Sequence, residues 1–201
     1  MAQKADEKEH SRHNALRNAL IPPIAYLLIA GSGVSLRRAE HRERPHHSLE
    51  PFDKAFRSAG PLFPFPLLAI RLALGVRQRR LHEPTKALAY ATAAAILRVL
   101  VYLSLRALGK HVMSDHLLLA ASCIAALQVD TGGTISMMRS GLAHAHRALN
   151  GASATLAALL ALNAHATCAI FHGPVESLLG LCLGAMLFQA PAALIAFKLA
   201  C

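Results

Sequence analysis

Residues 87–108 read ALAYATAAAILRVLVYLSLRAL, and this stretch decides the fold class because it holds only two charged side chains, Arg98 and Arg106. A helix needs about 20 predominantly apolar residues to cross the hydrocarbon core of a bilayer. Only helices and closed barrels satisfy their own backbone hydrogen bonds inside lipid, and the Ala and Leu content without alternating polarity favours the helix. The stretch therefore predicts a transmembrane helix.

Three more apolar stretches of similar length follow, at residues 112–129, 152–171 and 175–199. The whole chain is 54% hydrophobic and 16% charged, whereas soluble domains contain about 25% charged residues. This composition argues against a disordered chain or an ordinary soluble enzyme. We therefore expect an all-α integral membrane protein whose body, residues 87–201, is a four-transmembrane-helix bundle.

Residues 1–86 form a polar and basic front, with 15 of the 21 Lys and Arg residues and 8 of the 11 Asp and Glu residues. Two weaker apolar pieces lie in it, residues 19–36 with the pair Pro22-Pro23 and residues 60–76 with the charge of Arg71. A span at 19–36 would leave basic residues on both of its sides, which the positive-inside rule disfavours. We predict an interfacial or re-entrant region, with one or two extra spans as the alternative because membrane helices tolerate Pro and Gly.

Four spans would give the membrane two unequal sides. Side A would carry the front, the loop at residues 130–150 and Lys198, and side B would carry only Arg106 and Lys110. Basic loops stay on the non-translocated side, so side A is the cytosol or matrix. The net charge of +10 would therefore meet anionic lipids such as cardiolipin, and we expect no nucleic acid partner. The predicted headgroup contacts are Arg37, Arg38, Arg77, Arg79 and Arg80.

Ionisable residues cluster at the two turns predicted for side B. His111 and Asp115 lie four residues apart, as do His172 and Glu176, so each pair shares one face of a helix. Imidazole and carboxylate groups could together hold a metal ion, or serve an enzyme acting on a lipid headgroup. Helix capping explains the same residues more simply, because acidic side chains favour helix N-termini. We expect caps and interfacial anchors, with no metal, no resident cofactor and no catalytic residue.

The segment from Gly109 to Asp115, GKHVMSD, resembles the third signature of the membrane lipid-phosphatase superfamily, in which His and Asp lie four apart after an Arg. That resemblance implies a nucleophilic role for His111 and an orienting role for Asp115. Arg106 is one place closer to His111 than in the signature, and the upstream signatures that hold phosphate do not occur in this sequence. The resemblance covers about a dozen residues and is only an alternative to a non-catalytic role.

Arg98 is a charge near the centre of the first predicted span. Placing an arginine there costs about 2.5–3.5 kcal/mol on insertion scales, so it should face protein or water. A proton or ion path would use such a residue, and so would an ion pair. We favour a pair with a carboxylate of a neighbouring subunit, because no second acid lies mid-span in the body.

Small residues at spacings of four mark helix faces that approach other helices closely. Gly180 and Gly184 form a GxxxG pattern, and Ala89/Ala93, Ala154/Ala158 and Ala157/Ala161 repeat the spacing. With no complete catalytic motif, these faces predict a non-catalytic accessory subunit of a multi-subunit membrane complex. The analogy with small basic subunits suggests a respiratory-chain or ATP synthase complex of the mitochondrial inner membrane. An enzyme on side B and a transporter or proton path around Arg98 are the alternatives.

Overall fold

The computed structural model describes residues 2–36, 50–107, 114–134 and 142–200, and the regular structure within these ranges is helical. The α-helices are α1 Ala2–Ser35, α2 Glu50–Ala59, α3 Phe65–Arg77, α4 His82–Ala107, α5 Asp115–Thr134, α6 Ala143–Ala166, α7 Pro174–Gly184 and α8 Ala190–Ala200. A 3₁₀ turn at Gly60–Leu62 precedes α3, and π-helical turns extend α6 through Thr167–Phe171 and join α7 to α8 through Ala185–Gln189.

Five helical segments of the described residues are long and apolar enough to cross a membrane. The prediction of an all-helical chain with segments suited to crossing a membrane is confirmed for the described residues, but the count of four is not. Two of the segments fall in the front, where interfacial pieces were predicted, because their prolines do not end the helices. The five segments are His13–Ser35, Gly60–Arg77, His82–Ala107, Ala143–Phe171 and Pro174–Leu199.

Helix α5 is not one of those five segments, and it lies at the centre of the molecule. Every residue from Leu117 to Asp130 is buried, and α5 contacts α1, α4, α6, α7 and α8. A helix that is covered on all sides is a core helix. It corresponds to the span predicted at residues 112–129, but its polar side chains, including Gln128 and Asp130, are enclosed by protein instead of facing lipid.

One of the two prolines of α1, Pro23, is accommodated by a side chain from α5. Proline has no backbone N–H, so Pro23 cannot donate to the carbonyl of Ala19 one turn earlier. Instead, the Gln128 Nε2 atom donates to the Ala19 carbonyl oxygen at 2.5 Å. This bond satisfies the freed carbonyl, and α1 continues as one helix to Ser35, where the sequence predicted an interfacial or re-entrant piece.

The contacts along α5 fix the direction of every neighbour. We keep the name side A for the end where α5 finishes and side B for the end where it begins. By these contacts α1, α4 and α6 run from side A to side B, whereas α3, α5 and the α7–α8 segment run from side B to side A. The contacts are Ala19–Gln128, Ser32–His165, Arg71–Asp130, Arg71–Asn150, Glu83–Gly133, Arg98–Asp115, Leu117–Gly180 and Gly132–Ala196.

Candidate functional site

The most enclosed polar group of the described residues is a cluster around Arg71, near side A. The Arg71 Nε atom donates to both carboxylate oxygens of Asp130 at 3.2 Å, and its Nη2 atom lies 3.0 Å from Asp130 Oδ2. Nη2 also donates to Asn150 Oδ1 at 2.8 Å. Both side chains of the ion pair are 1% exposed. Arg71 thereby ties α3 to α5 and α6.

His146 completes this arrangement, which we call the Arg71 cluster: Arg71, Gln78, Asp130, His146 and Asn150. Nη1 of Arg71 lies 3.1 Å from His146 Nδ1 and 3.4 Å from the His146 carbonyl oxygen. Because a guanidinium only donates, Nδ1 must accept and the ring proton sits on Nε2. Nε2 lies 3.1 Å from the Gln78 Nε2 atom, and since both nitrogens would then donate, the Gln78 amide must turn over to present Oε1 as the acceptor. All five N–H groups of the guanidinium therefore donate within the chain, and the cluster holds α3, α5 and α6 together.

Sequence reasoning missed this cluster. It assigned Arg71 to an interfacial piece, and it assigned Asp130 and His146 to the loop at residues 130–150. The signals were present, because a charge between Ile70 and Leu72 needs a partner and Asp130 ends an apolar run. The pairing itself was not readable, since Arg71 and Asp130 lie 59 residues apart in the chain.

A second ion pair joins α4 to the start of α5 near side B. Arg98 Nη1 donates to the two carboxylate oxygens of Asp115 at 2.8 and 2.9 Å. The expectation that a neighbouring subunit would supply the carboxylate is therefore wrong. Asp115 precedes the apolar run of α5, and the long arginine side chain reaches from mid-helix toward the helix end. The Arg98 side chain is 12% exposed and that of Asp115 is 37% exposed.

The surroundings of Arg98 bear on the transporter alternative. A cavity of about 10 Å³ lies beside it, lined in part by Ser122 and Cys123. Such a volume holds about one water molecule. A conducting path needs a continuous file of water, so this geometry favours a structural role for Arg98.

Two histidines and a glutamate of the predicted side-B cluster lie near one another. His172 Nδ1 is 3.1 Å from Glu176 Oε2, which also accepts from the Gly173 N–H at 3.2 Å. The Glu176 carboxylate thus caps the start of α7, as predicted, and the His116 ring centroid lies 6.5 Å from that of His172. His111 falls outside the described residues, so its predicted roles as nucleophile or metal ligand stay predictions.

Metal binding at this end finds little support in the part of the chain that the structure describes. No three His, Cys, Asp or Glu side chains there form a group that could hold a metal ion. Asp115 pairs with Arg98, whereas His111, its partner in the alternative metal site, lies outside the described residues. The orientation follows from charge, because a guanidinium satisfies a carboxylate without any metal.

The residues predicted to meet lipid headgroups divide into two sets. Arg77, Arg79 and Arg80 are exposed at the end of α3 and in the following turn, near side A. Arg79 adopts a φ of 55°, and the turn closes through the Arg80 N–H donating to the Gly75 carbonyl at 2.9 Å. Arg37 and Arg38 lie outside the described residues.

The small-residue faces are used differently along the chain. A Cβ atom on Gly184 would lie 2.8 Å from Ala121 Cβ, and one on Gly180 would lie 3.1 Å from Leu117. The GxxxG face is therefore occupied by α5 of the same chain. Ala89 and Ala93 of α4, in contrast, are exposed. Their face packs against no helix of the described residues.

No protein-family model, no curated protein and no solved structure matches this chain.

Proposed function

We propose that this protein is a non-catalytic accessory subunit of a multi-subunit membrane complex, which it joins through the exposed face of α4. The observation that carries the proposal is the free small-residue pair Ala89 and Ala93. Lipid tails gain nothing from small residues, whereas a partner helix can approach closely where alanines replace bulky side chains. Only 11% of the most apolar part of α4 is buried inside the molecule, against 22–33% for the other four candidate spans.

The exposed face continues along α4 toward side B. Ile96 and Leu100 are each 56% exposed and Leu103 is 52% exposed, and together they form a stripe with helical spacing. A stripe of alanines followed by large aliphatic residues suits one crossing helix, which would touch the alanines and pack beside the larger side chains. The hydrogen bonds of Arg71 also support a structural role, because every N–H of its guanidinium donates to another residue of the chain and none is left for a substrate.

The proposed topology has six membrane crossings. The five candidate spans and α5 alternate in direction, which places the start of α1 and the end of α8 on side A. Enclosure by the other helices explains how α5 crosses with Gln128 and Asp130 inside it, because polar side chains in membranes face the bundle interior. The four-crossing alternative keeps the front on side A and removes α1 and α3 from the bundle.

We propose the mitochondrial inner membrane and a respiratory-chain or ATP synthase complex as the host. The support is the analogy with small, basic, helical subunits of energy-transducing complexes. The exposed turn of Arg77, Arg79 and Arg80 supports a contact with anionic headgroups such as those of cardiolipin.

The proposal is tested by native-gel sizing after extraction of the full chain in mild detergent, with identification of the proteins that migrate with it. We expect a large assembly. Ala89→Leu/Ala93→Leu should release the chain as a small species, because leucine side chains hold the partner helix away. Ala148→Leu/Ala152→Leu is the matched control, since these alanines are also exposed and four residues apart on α6. A wild-type chain that migrates alone, or equal release by both variants, would overturn the proposal.

A further inference from the structure

A groove opens toward side A among α1, α5, α6 and α8. Its volume of about 520 Å³ lies within the range of about 300–1,000 Å³ typical of small-molecule sites. Most of its walls are small residues, which leave space where larger side chains would close the helices together. These residues are Ala15, Ala19, Gly132, Ala154 and Ala196.

The polar residues of the groove carry no charge. They are Asn18, Gln128, Thr131 and Asn150, and no charged side chain lines the groove in the described part of the chain. Arg71 lies behind Asn150 and donates to its Oδ1 atom, but the guanidinium is committed to the Arg71 cluster. An anionic headgroup would therefore meet no available cation in the groove, and an uncharged ligand fits it better.

One acceptor in the wall of the groove lacks a donor. Gln128 is 3% exposed, and its buried Oε1 atom accepts no hydrogen bond within the described residues, while its Nε2 atom donates to the Ala19 carbonyl. A buried acceptor without a donor is costly, so a ligand hydroxyl that reaches Gln128 would be favoured.

The groove lies at a depth that suits an amphiphilic ligand. Gln128 lies about 9 Å along α5 from its end at Thr134, at 1.5 Å per residue. Ile21, which also lines the groove, is 54% exposed on the outer surface of α1. The polar wall is thus continuous with an apolar surface that would face lipid tails.

We propose that this groove binds a neutral lipid with a free hydroxyl group, of the diacylglycerol or sterol type. Its hydroxyl donates to Gln128 Oε1, and its apolar part leaves the groove along Ile21 and Ala154. This inference does not depend on the accessory role, because lipid binding is measured on the isolated chain.

Photoactivatable diacylglycerol and cholesterol probes test the site on the full chain in phosphatidylcholine nanodiscs. We expect crosslinks to map to residues 15–22 and 150–154. Unlabelled neutral lipid should compete with them, and phosphatidylglycerol should not. Labelling by either probe supports the proposal, and the stronger of the two identifies the lipid class. Absent labelling, or equal competition by phosphatidylglycerol, would overturn it.

Two variants separate a groove from general lipid contact. Ala154→Phe fills the groove and should abolish specific labelling, whereas Ala158→Phe, one turn further along α6 and exposed, should leave it unchanged. Gln128→Leu should weaken labelling about fivefold, the equivalent of one hydrogen bond. Because Gln128 also serves Ala19, Ala154→Phe is the decisive variant, and unchanged labelling in it would contradict the proposal.

Discussion

Arg71 and Arg98 each place a guanidinium inside an apolar helix, and each finds a carboxylate on α5. Their environments differ, because the Arg71 pair is 1% exposed on both sides while Asp115 is 37% exposed. Losing one partner of a fully buried pair leaves an uncompensated charge, which costs far more than losing a pair that water can reach. Arg71 is therefore the residue on which the described fold should depend most.

Arg71→Met should lower the free energy of unfolding by about 3–5 kcal/mol, because Asp130 would remain buried without its cation. The double variant Arg71→Met/Asp130→Leu should recover most of that loss, since no charge is then left in the core. Unfolding of the purified chain in detergent micelles, followed by helicity against denaturant, measures both.

The control for this cycle is Arg77→Met, which removes an exposed charge at the end of the same helix and should have little effect. Additive losses from Arg71→Met and Asp130→Leu, with no recovery in the double variant, would contradict the ion pair.

Helix α7 owes its close approach to α5 to the absence of a side chain at residue 184. An added Cβ would lie 2.8 Å from Ala121 Cβ, closer than side-chain atoms pack, and both residues belong to helix backbones that cannot yield locally. Gly151 of α6 is a helical glycine with nothing within 4 Å of an added Cβ. Comparing the same substitution at the two glycines therefore distinguishes the effect of packing from that of helix propensity.

Gly184→Ala should destabilise the protein by about 1–3 kcal/mol through overpacking. Gly151→Ala should be neutral or stabilising by up to about 1 kcal/mol, because alanine favours the helix. Thermal unfolding of both variants in the same detergent tests the pair. Equal effects of the two substitutions would mean that α7 does not lie against α5 at Gly184.

The strongest apolar stretches were readable from the sequence because length and composition alone define them. The stretch predicted at residues 175–199 agrees with the segment Pro174–Leu199 to within one residue at its start. The starts of the helices were harder to predict. Helix α4, predicted from residue 87, already begins at His82, because its first turns contain the polar residues Glu83 and Lys86. The helical path of α1 was not readable, because the bond that compensates Pro23 comes from Gln128 on a helix far along the chain.

At the scale of the whole molecule, α5 organises the other helices. Its burial explains why polar residues occur in an otherwise apolar segment, since Gln128 bonds to α1 and Asp130 pairs with Arg71 of α3. The ionisable residues of side B could be grouped from the sequence because they flank predicted turns. The Arg71 cluster and the groove could not, because they form only when α3 and α1 pack against α5. The positive-inside rule considers the charges of loops and not the contacts with α5, so residues 19–36 and 60–76 were predicted to be interfacial.

We propose that the chain crosses the membrane six times, through α5 and the five candidate spans around it. Cysteine accessibility mapping tests this arrangement most directly. Single cysteines would be placed at Ser11, Ser48 and Lys198 in a chain whose native cysteines are replaced by alanine, and labelled in sealed vesicles with a membrane-impermeant maleimide. We predict that Ser11→Cys and Lys198→Cys react from the same side and Ser48→Cys from the opposite side. Labelling of all three positions from one side would contradict the six-crossing arrangement.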